Sequence, residues 1–194
     1  MPQTIACFGS GSGQPGNAQY DAVQEAGRLL ADRGCIVISG GFGGIGMEAP
    51  LRGAREGGAR TAGYTFLGRP ANDFAEITVD CSHSQVGNIP IVGNAVQWGT
   101  RLGNLLEDAD GFIVAARGGK GTMIELLSAL HLNDRLCSVP KPIAILQAGV
   151  EIPKSWDKSM LDQLEAWGLM KPEEAETICI AEMPETAVSW VCKD

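Results

Sequence analysis

The chain has no run of lysines and arginines, no C-x-x-C pair and no stretch of ~18 apolar residues. Each absence excludes a class. Without a basic stripe to displace counterions, a nucleic-acid partner is not expected. Without a long apolar stretch, or a basic segment leading into one near Met1, neither membrane insertion nor secretion is expected, and the cytoplasm is the expected compartment. The six cysteines (Cys7, Cys35, Cys81, Cys137, Cys179, Cys192) lack paired spacing, and four of them lie in apolar, strand-like runs. They read as reduced core residues. His83 and His131 show no metal-ligand spacing, so no metal and no bound cofactor are expected. No serine, histidine and aspartate assemble into a nucleophilic site.

What is abundant is glycine. Its 26 residues in 194 are about double the ~7% share of ordinary proteins. Much of it sits in three clusters, Gly9 to Gly16, Gly40 to Gly46 and Gly118 to Gly121. Glycine so concentrated marks special loops rather than disorder. The net charge is −8, yet residues 151–194 hold 10 of the 23 acids and only 4 of the 15 bases. The rest of the chain is close to neutral, which leaves a small anion as an acceptable ligand.

Short apolar runs recur at Ile5–Phe8, Cys35–Ser39, Thr61–Phe66, Glu76–Cys81, Gly111–Ala116, Pro142–Gln147 and Thr177–Ala181, each suited to a buried strand. Helix-period segments separate most of them: Tyr20–Arg33, closed by Gly34, Val92–Asp108, Thr122–Asp134, Ser155–Trp167 and Pro184–Val191. Gly68–Asp73 and Ser82–Pro90 read as longer surface loops. The alternation, with no repeat and no linker, predicts one domain over residues 1–194, an α/β Rossmann-like, doubly wound parallel sheet with helices on both faces. Ligands in such sheets sit at the C-terminal strand ends, where the glycine clusters fall.

Gly118-Gly119-Lys120-Gly121-Thr122-Met123-Ile124-Glu125 follows a strand and opens a helix. Its glycines let backbone N–H groups turn to a phosphate, the free N–H groups of the helix start favour an anion, and Thr122 adds a hydroxyl. Thr122-x-x-Glu125 also fits a capping box, which accounts for those two residues but not for the three glycines. A second loop, Ser39-Gly40-Gly41-Phe42-Gly43-Gly44-Ile45-Gly46-Met47-Glu48, is either a tight strand–helix turn or a backbone wall against a ligand. Five glycines in seven positions favour the wall. The first loop, Gly9-Ser10-Gly11-Ser12-Gly13, fails the dinucleotide fingerprint because Gln14 holds the third glycine position. Ser39 stands where an NAD enzyme carries its ribose-binding acid, so hydride transfer is not expected. No G-x-x-x-x-G-K-[ST] run supports a P-loop. Arg101 lies on a largely apolar helix. It either reaches the mouth of the sheet or pairs at the surface with Glu107 or Asp108. Trp98, Trp156, Trp167 and Trp190 read as packing residues, although Trp98 precedes Arg101 by one turn.

In these residues the chain resembles, over about residues 4–147, the LONELY GUY (LOG) family and its wider superfamily, which includes the molybdenum-cofactor carrier proteins. The motifs that carry the likeness are Gly40–Met47, Arg101 nine residues before Asp110, and Gly118–Glu125. LOG-type members are phosphoribohydrolases that cut the N-glycosidic bond of a nucleoside 5′-monophosphate such as AMP. The resemblance implies that Gly118, Gly119, Gly121 and Thr122, with Lys120 beside them, hold the phosphate, and that Gly9, Ser10, Gly40, Gly41, Gly43, Gly44 and Met47 line the ligand. Arg101 and Glu125 would then be catalytic, and the protein a homodimer using the apolar face of Val92–Leu106. Three departures stand out: Arg117 replaces the family's proline, Leu102 follows Arg101 where many hydrolases carry lysine, and Met47-Glu48-Ala49 is similar to the carrier branch. The resemblance therefore leaves open a hydrolase, a carrier for a phosphorylated pterin-type cofactor, and a nucleotide sensor without turnover.

Overall fold

The computed structural model describes residues 1–82, 84–86, 89–91, 93–116, 118–150 and 158–192. His83, Val92, Arg117 and the first three residues of the expected Ser155–Trp167 helix lie outside them.

The two central strands are largely apolar. β1 (Thr4–Phe8) and β7 (Gly111–Ala115) pair in parallel, with Ile5 opposite Gly111 and Phe8 opposite Val114. All five residues of β7 are buried, as a strand covered on both faces requires. On one side of β1 follow β2 (Ile36–Ser39), β3 (Thr61–Thr65) and β4 (Ile77–Asp80); beyond β7 lie β8 (Ile143–Leu146) and β9 (Ile178–Ala181). The sheet runs β4-β3-β2-β1-β7-β8-β9, every pair parallel. These are the seven runs read from the sequence, in the doubly wound class expected. The strand order reverses direction between β1 and β7, and a crevice opens at such a switch point.

The expected loop Ser82–Pro90 is different: Ser84–Val86 (β5) and Ile89–Ile91 (β6) pair antiparallel in a small separate sheet. Three residues of pairing are too few to leave a periodic trace, which is why the sequence shows only a loop there.

Helices cover both faces. On one lie α1 (Ala18–Asp32), α2 (Glu48–Glu56) and α7 (Pro184–Val191), enclosing Tyr20, Leu30, Leu51, Ala54, Val188 and Val191 with the β1, β2 and β8 residues that face them. Asn17 starts α1 by accepting hydrogen bonds from the N–H groups of Gln19 and Tyr20. On the other face α3 (Asn94–Asp108) and α4 (Lys120–Arg135) bury Leu102, Leu105, Leu126 and Ala129 against Phe8, Phe112 and Val114. Short helices α5 (Lys158–Ala166) and α6 (Pro172–Ala175) complete that layer. Asp110 ties the residue before β7 to β1, because its carboxylate accepts from Thr4 N–H at 2.8 Å while its own N–H donates to Thr4 O at 2.7 Å. That pair ends α3 and sets the register of β7 on β1. Of the described helices, none is long and apolar enough to cross a membrane.

Candidate functional site

The loops that leave β1, β2, β3 and β7 converge on one cleft of about 340 Å³ at the C-terminal edge of the sheet. Its walls include Gly9, Ser10 and Gly11 after β1, Phe42 and Met47 after β2, and Phe66 and Arg69 after β3. Trp98 and Arg101 come from α3, and Gly119, Gly121, Thr122 and Glu125 from the start of α4.

The floor is the N-terminus of α4. This helix begins at Lys120, two residues earlier than its periodicity suggests, with Gly119 as the capping residue and no side chain bonded to the free amides. Thr122 is therefore inside the first turn, and the capping box does not form. Glu125 is released from that duty and projects into the cleft, 9% exposed. The first backbone donor turned inward is Met123 N–H, to Gly119 O at 3.1 Å. The amides before it have no intrahelical partner, as at any helix start. A Cβ added to Gly119 or Gly121 would meet no protein atom within 4 Å, so neither glycine is required by the packing of the fold. Gly118 differs, because its Cβ would fall 2.2 Å from Thr122 Cβ; it lets the chain turn tightly over that side chain. Lys120 is exposed and lies outside the cleft lining.

Arg101 reaches the mouth rather than the surface, and neither Glu107 nor Asp108 pairs with it. Its side chain is buried, with Nε donating to Tyr64 O at 2.8 Å and Nη2 lying 3.4 Å from Met47 Sδ. Asp108 is occupied instead by the Tyr64 hydroxyl at 2.5 Å. The guanidinium sits 5.8 Å from the Phe42 ring centre and 5.6 Å from that of Phe66, within cation–π range. Burial pulls the Arg101 pKa down, partly offset by the Glu125 charge. Burial likewise lifts the Glu125 carboxyl from 4.5 to about 7, against the opposing pull of Arg101. No side-chain hydrogen bond holds Glu125 among the described residues, so desolvation prevails. A carboxyl poised near neutrality in a cleft with an arginine can exchange a proton or stabilise a developing positive charge.

The second loop departs from the wall reading. Gly40, Gly41, Gly43 and Gly44 do not line the cleft. Gly40 makes room for Arg101, whose Nη2 would lie 1.6 Å from a Cβ there. Gly41 (φ +75°) packs on Gly63, and Gly44 (φ +97°) on the backbone of Gly11. Gly46 and Gly9 touch backbone to backbone, since a Cβ on Gly46 would lie 2.0 Å from Gly9 N. The glycines thus zip the first two loops together, helped by Gly46 N–H to Ser10 O (3.0 Å) and Ile45 N–H to Ser12 O (3.1 Å). Ser39, buried at the end of β2, donates its hydroxyl to Met47 O at 2.7 Å and holds Met47 over Arg101. Asn72 fastens the other side by donating to Gly41 O and Phe42 O.

Sequence reasoning missed Phe42, Phe66 and Arg69, and took Trp98 for packing. The one available signal was the single turn separating Trp98 from Arg101; nothing local places residues 42, 66 and 69 together.

A model of the SLOG cluster4 family matches residues 2–175. A protein of Archaeoglobus fulgidus is 30% identical over 136 residues, which are 70% of this chain and 80% of that protein. Among solved structures, the molybdenum cofactor binding protein of the phototrophic bacterium Rippkaea orientalis superposes with a TM-score of 0.65 at 22% identity, over 97% of this chain and 94% of its own. The molybdenum cofactor carrier protein of Chlamydomonas reinhardtii gives 0.66 at 18%, over 97% and 95%. DNA processing protein A of Streptococcus pneumoniae gives 0.65 at 13%, over 100% of this chain and 63% of that one. Likeness at these identities concerns the fold.

Proposed function

The chain belongs to the SLOG cluster4 family, and from that premise we infer that its cleft holds the phosphate of a nucleoside 5′-monophosphate and hydrolyses the N-glycosidic bond. The observation that carries the reading is the convergence of an uncapped, glycine-lined helix start with a buried Arg101 and a Glu125 carboxyl raised to about 7. Phosphate would lie on the amides of Gly119, Gly121 and Thr122. As the base departs, C1′ gains oxocarbenium character, which ionised Glu125 stabilises while accepting a proton from the attacking water. The products are ribose 5-phosphate and the free base, whose nitrogen takes up a proton. Arg101, with Nε and Nη2 held by Tyr64 and Met47, presents its remaining N–H groups to the ligand.

A second reading, a non-catalytic carrier, is favoured by the solved relatives described as molybdenum cofactor binding and carrier proteins, which match nearly full length. The same amides would take the phosphate of a pterin-type cofactor. The test is incubation with nucleoside monophosphates and chromatography for free base, with Glu125→Ala as control. Base released by the wild type and lost in the variant supports hydrolysis; no release from any nucleotide overturns it, and copurified pterin or molybdenum then supports the carrier.

A homodimer belongs to the same reading. Of the apolar face of α3, Leu102, Leu105 and Leu106 are committed to the chain's own core, which leaves Ala95 and Val96 exposed with Ile124 and Leu127 of α4 and Leu136 just after it. Leu127→Glu is expected to convert a dimer mass into a monomer mass in light scattering; a monomeric wild type would remove the proposal.

A further inference from the structure

The reaction above uses the floor of the cleft and leaves a cluster at its mouth without a role. After β3 the chain turns through Phe66, Leu67, Gly68 and Arg69. Leu67 has φ +62° and Gly68 +61°, and the left-handed region is unfavourable for a leucine. Two hydrogen bonds hold the turn there: Leu67 N–H donates to Gln97 Oε1 at 3.0 Å, and Gly68 N–H to Ser82 Oγ at 2.8 Å. A strained turn pinned from two sides is a device for aiming what it carries. What it carries into the cleft is Phe66 and Arg69.

The Arg69 guanidinium lies 4.7 Å over the Phe42 ring, which in turn packs at 60° against Phe66 with 5.6 Å between centres. Arg28, Arg52, Arg55 and Arg135 each have a carboxylate within ion-pair distance. Arg69 has none among the described residues, and its charge meets only the Phe42 ring. A guanidinium held by a ring face and by no carboxylate keeps N–H donors of its planar fork for a ligand. Two adjacent in-plane acceptors are its natural partner. Among purines these are the carbonyl oxygen and ring nitrogen of a 6-oxopurine; a 6-aminopurine offers a donor at one of the two positions.

We propose that Phe42, Phe66 and Arg69 form a base-reading subsite that selects 6-oxopurine nucleotides over adenine nucleotides. The proposal rests on the phosphate cradle inferred above. It is tested by calorimetric titration of wild type, Arg69→Ala and Arg69→Lys with GMP, IMP, AMP and ribose 5-phosphate, with circular dichroism to confirm folding of these surface variants. GMP and IMP are expected to bind roughly tenfold or more tightly than AMP. Arg69→Ala erases that difference, Arg69→Lys restores little of it, and ribose 5-phosphate affinity stays within about twofold throughout. AMP binding as tightly as GMP overturns the proposal, as does an Arg69→Ala variant that loses ribose 5-phosphate in step with GMP, since Arg69 would then contact phosphate. Ribose 5-phosphate binding without base preference sinks this subsite alone, whereas no binding of any of the four ligands sinks the cradle and the subsite with it.

Discussion

Glu125 sits where ionisation is unfavourable, and the direction of that effect can be measured. With its carboxyl raised from 4.5 to about 7, the folded protein keeps a proton that the unfolded chain releases. The stabilisation from that proton is complete below about pH 4.5 and is lost as pH rises through 7. Glu125→Gln, which cannot ionise, is therefore expected to be more stable than wild type at pH 8 by roughly 3 kcal/mol, the gap closing towards pH 4.5 in urea titrations. If the hydrolase reading holds, kcat/KM of the wild type rises with pH through about 7, and Glu125→Gln loses activity by about 100-fold or more. Two glycines offer a contrast at the same scale. Gly121→Ala meets no protein atom and is expected to leave the melting temperature unchanged while weakening ribose 5-phosphate. Gly46→Ala drives a Cβ into Gly9 and is expected to lower stability by about 3 kcal/mol or more in the same urea titration.

Among the elements, α1 and α2 approach so closely that side chains are excluded between them. A Cβ on Gly27 would lie 2.2 Å from Pro50 O, and one on Gly53 1.8 Å from Gln24 O. Because Met47 and the Arg101 seat lead directly into α2, this packing also positions the cleft. Gly53→Ala is expected to lower stability by about 2 kcal/mol and to weaken ligand binding, although residue 53 is outside the site; unchanged binding in the folded variant would show the loop to be independent of α2. In this layer α1 and α7 were legible in the sequence, α1 through its apolar period from Tyr20 to Leu30, whereas α2 was seen only as a helix following the second glycine loop. The start of α4 was not legible. Thr122-x-x-Glu125 has the local pattern of a capping box, yet the first turn begins at Lys120 with Gly119 as its capping residue.

At the scale of the molecule the sheet divides two apolar layers, and the cleft depends on both while lying at one end. Val191, fully buried in the α7 layer, is not among the cleft residues. Val191→Asp buries an unpaired carboxylate and is expected to cost about 3 kcal/mol or more, with the ligand affinity of the remaining folded molecules unchanged. A parallel loss of affinity would mean that the layers are coupled through β1 and β8.

The amino-acid sequence alone determined the seven parallel strands, most of the helices between them and the glycine run that leads into α4, because these follow from period and composition, which are local properties. Tertiary structure alone decided what the second loop's glycines are for, since Gly40 is small because Arg101 arrives from 61 residues away along the chain. It also decided that Arg101 and Glu125 share one cleft, and that Phe42, Phe66 and Arg69 stand together at its mouth. Contacts between the ends of separate strands exist only once the sheet has set their order, and no window of sequence contains them.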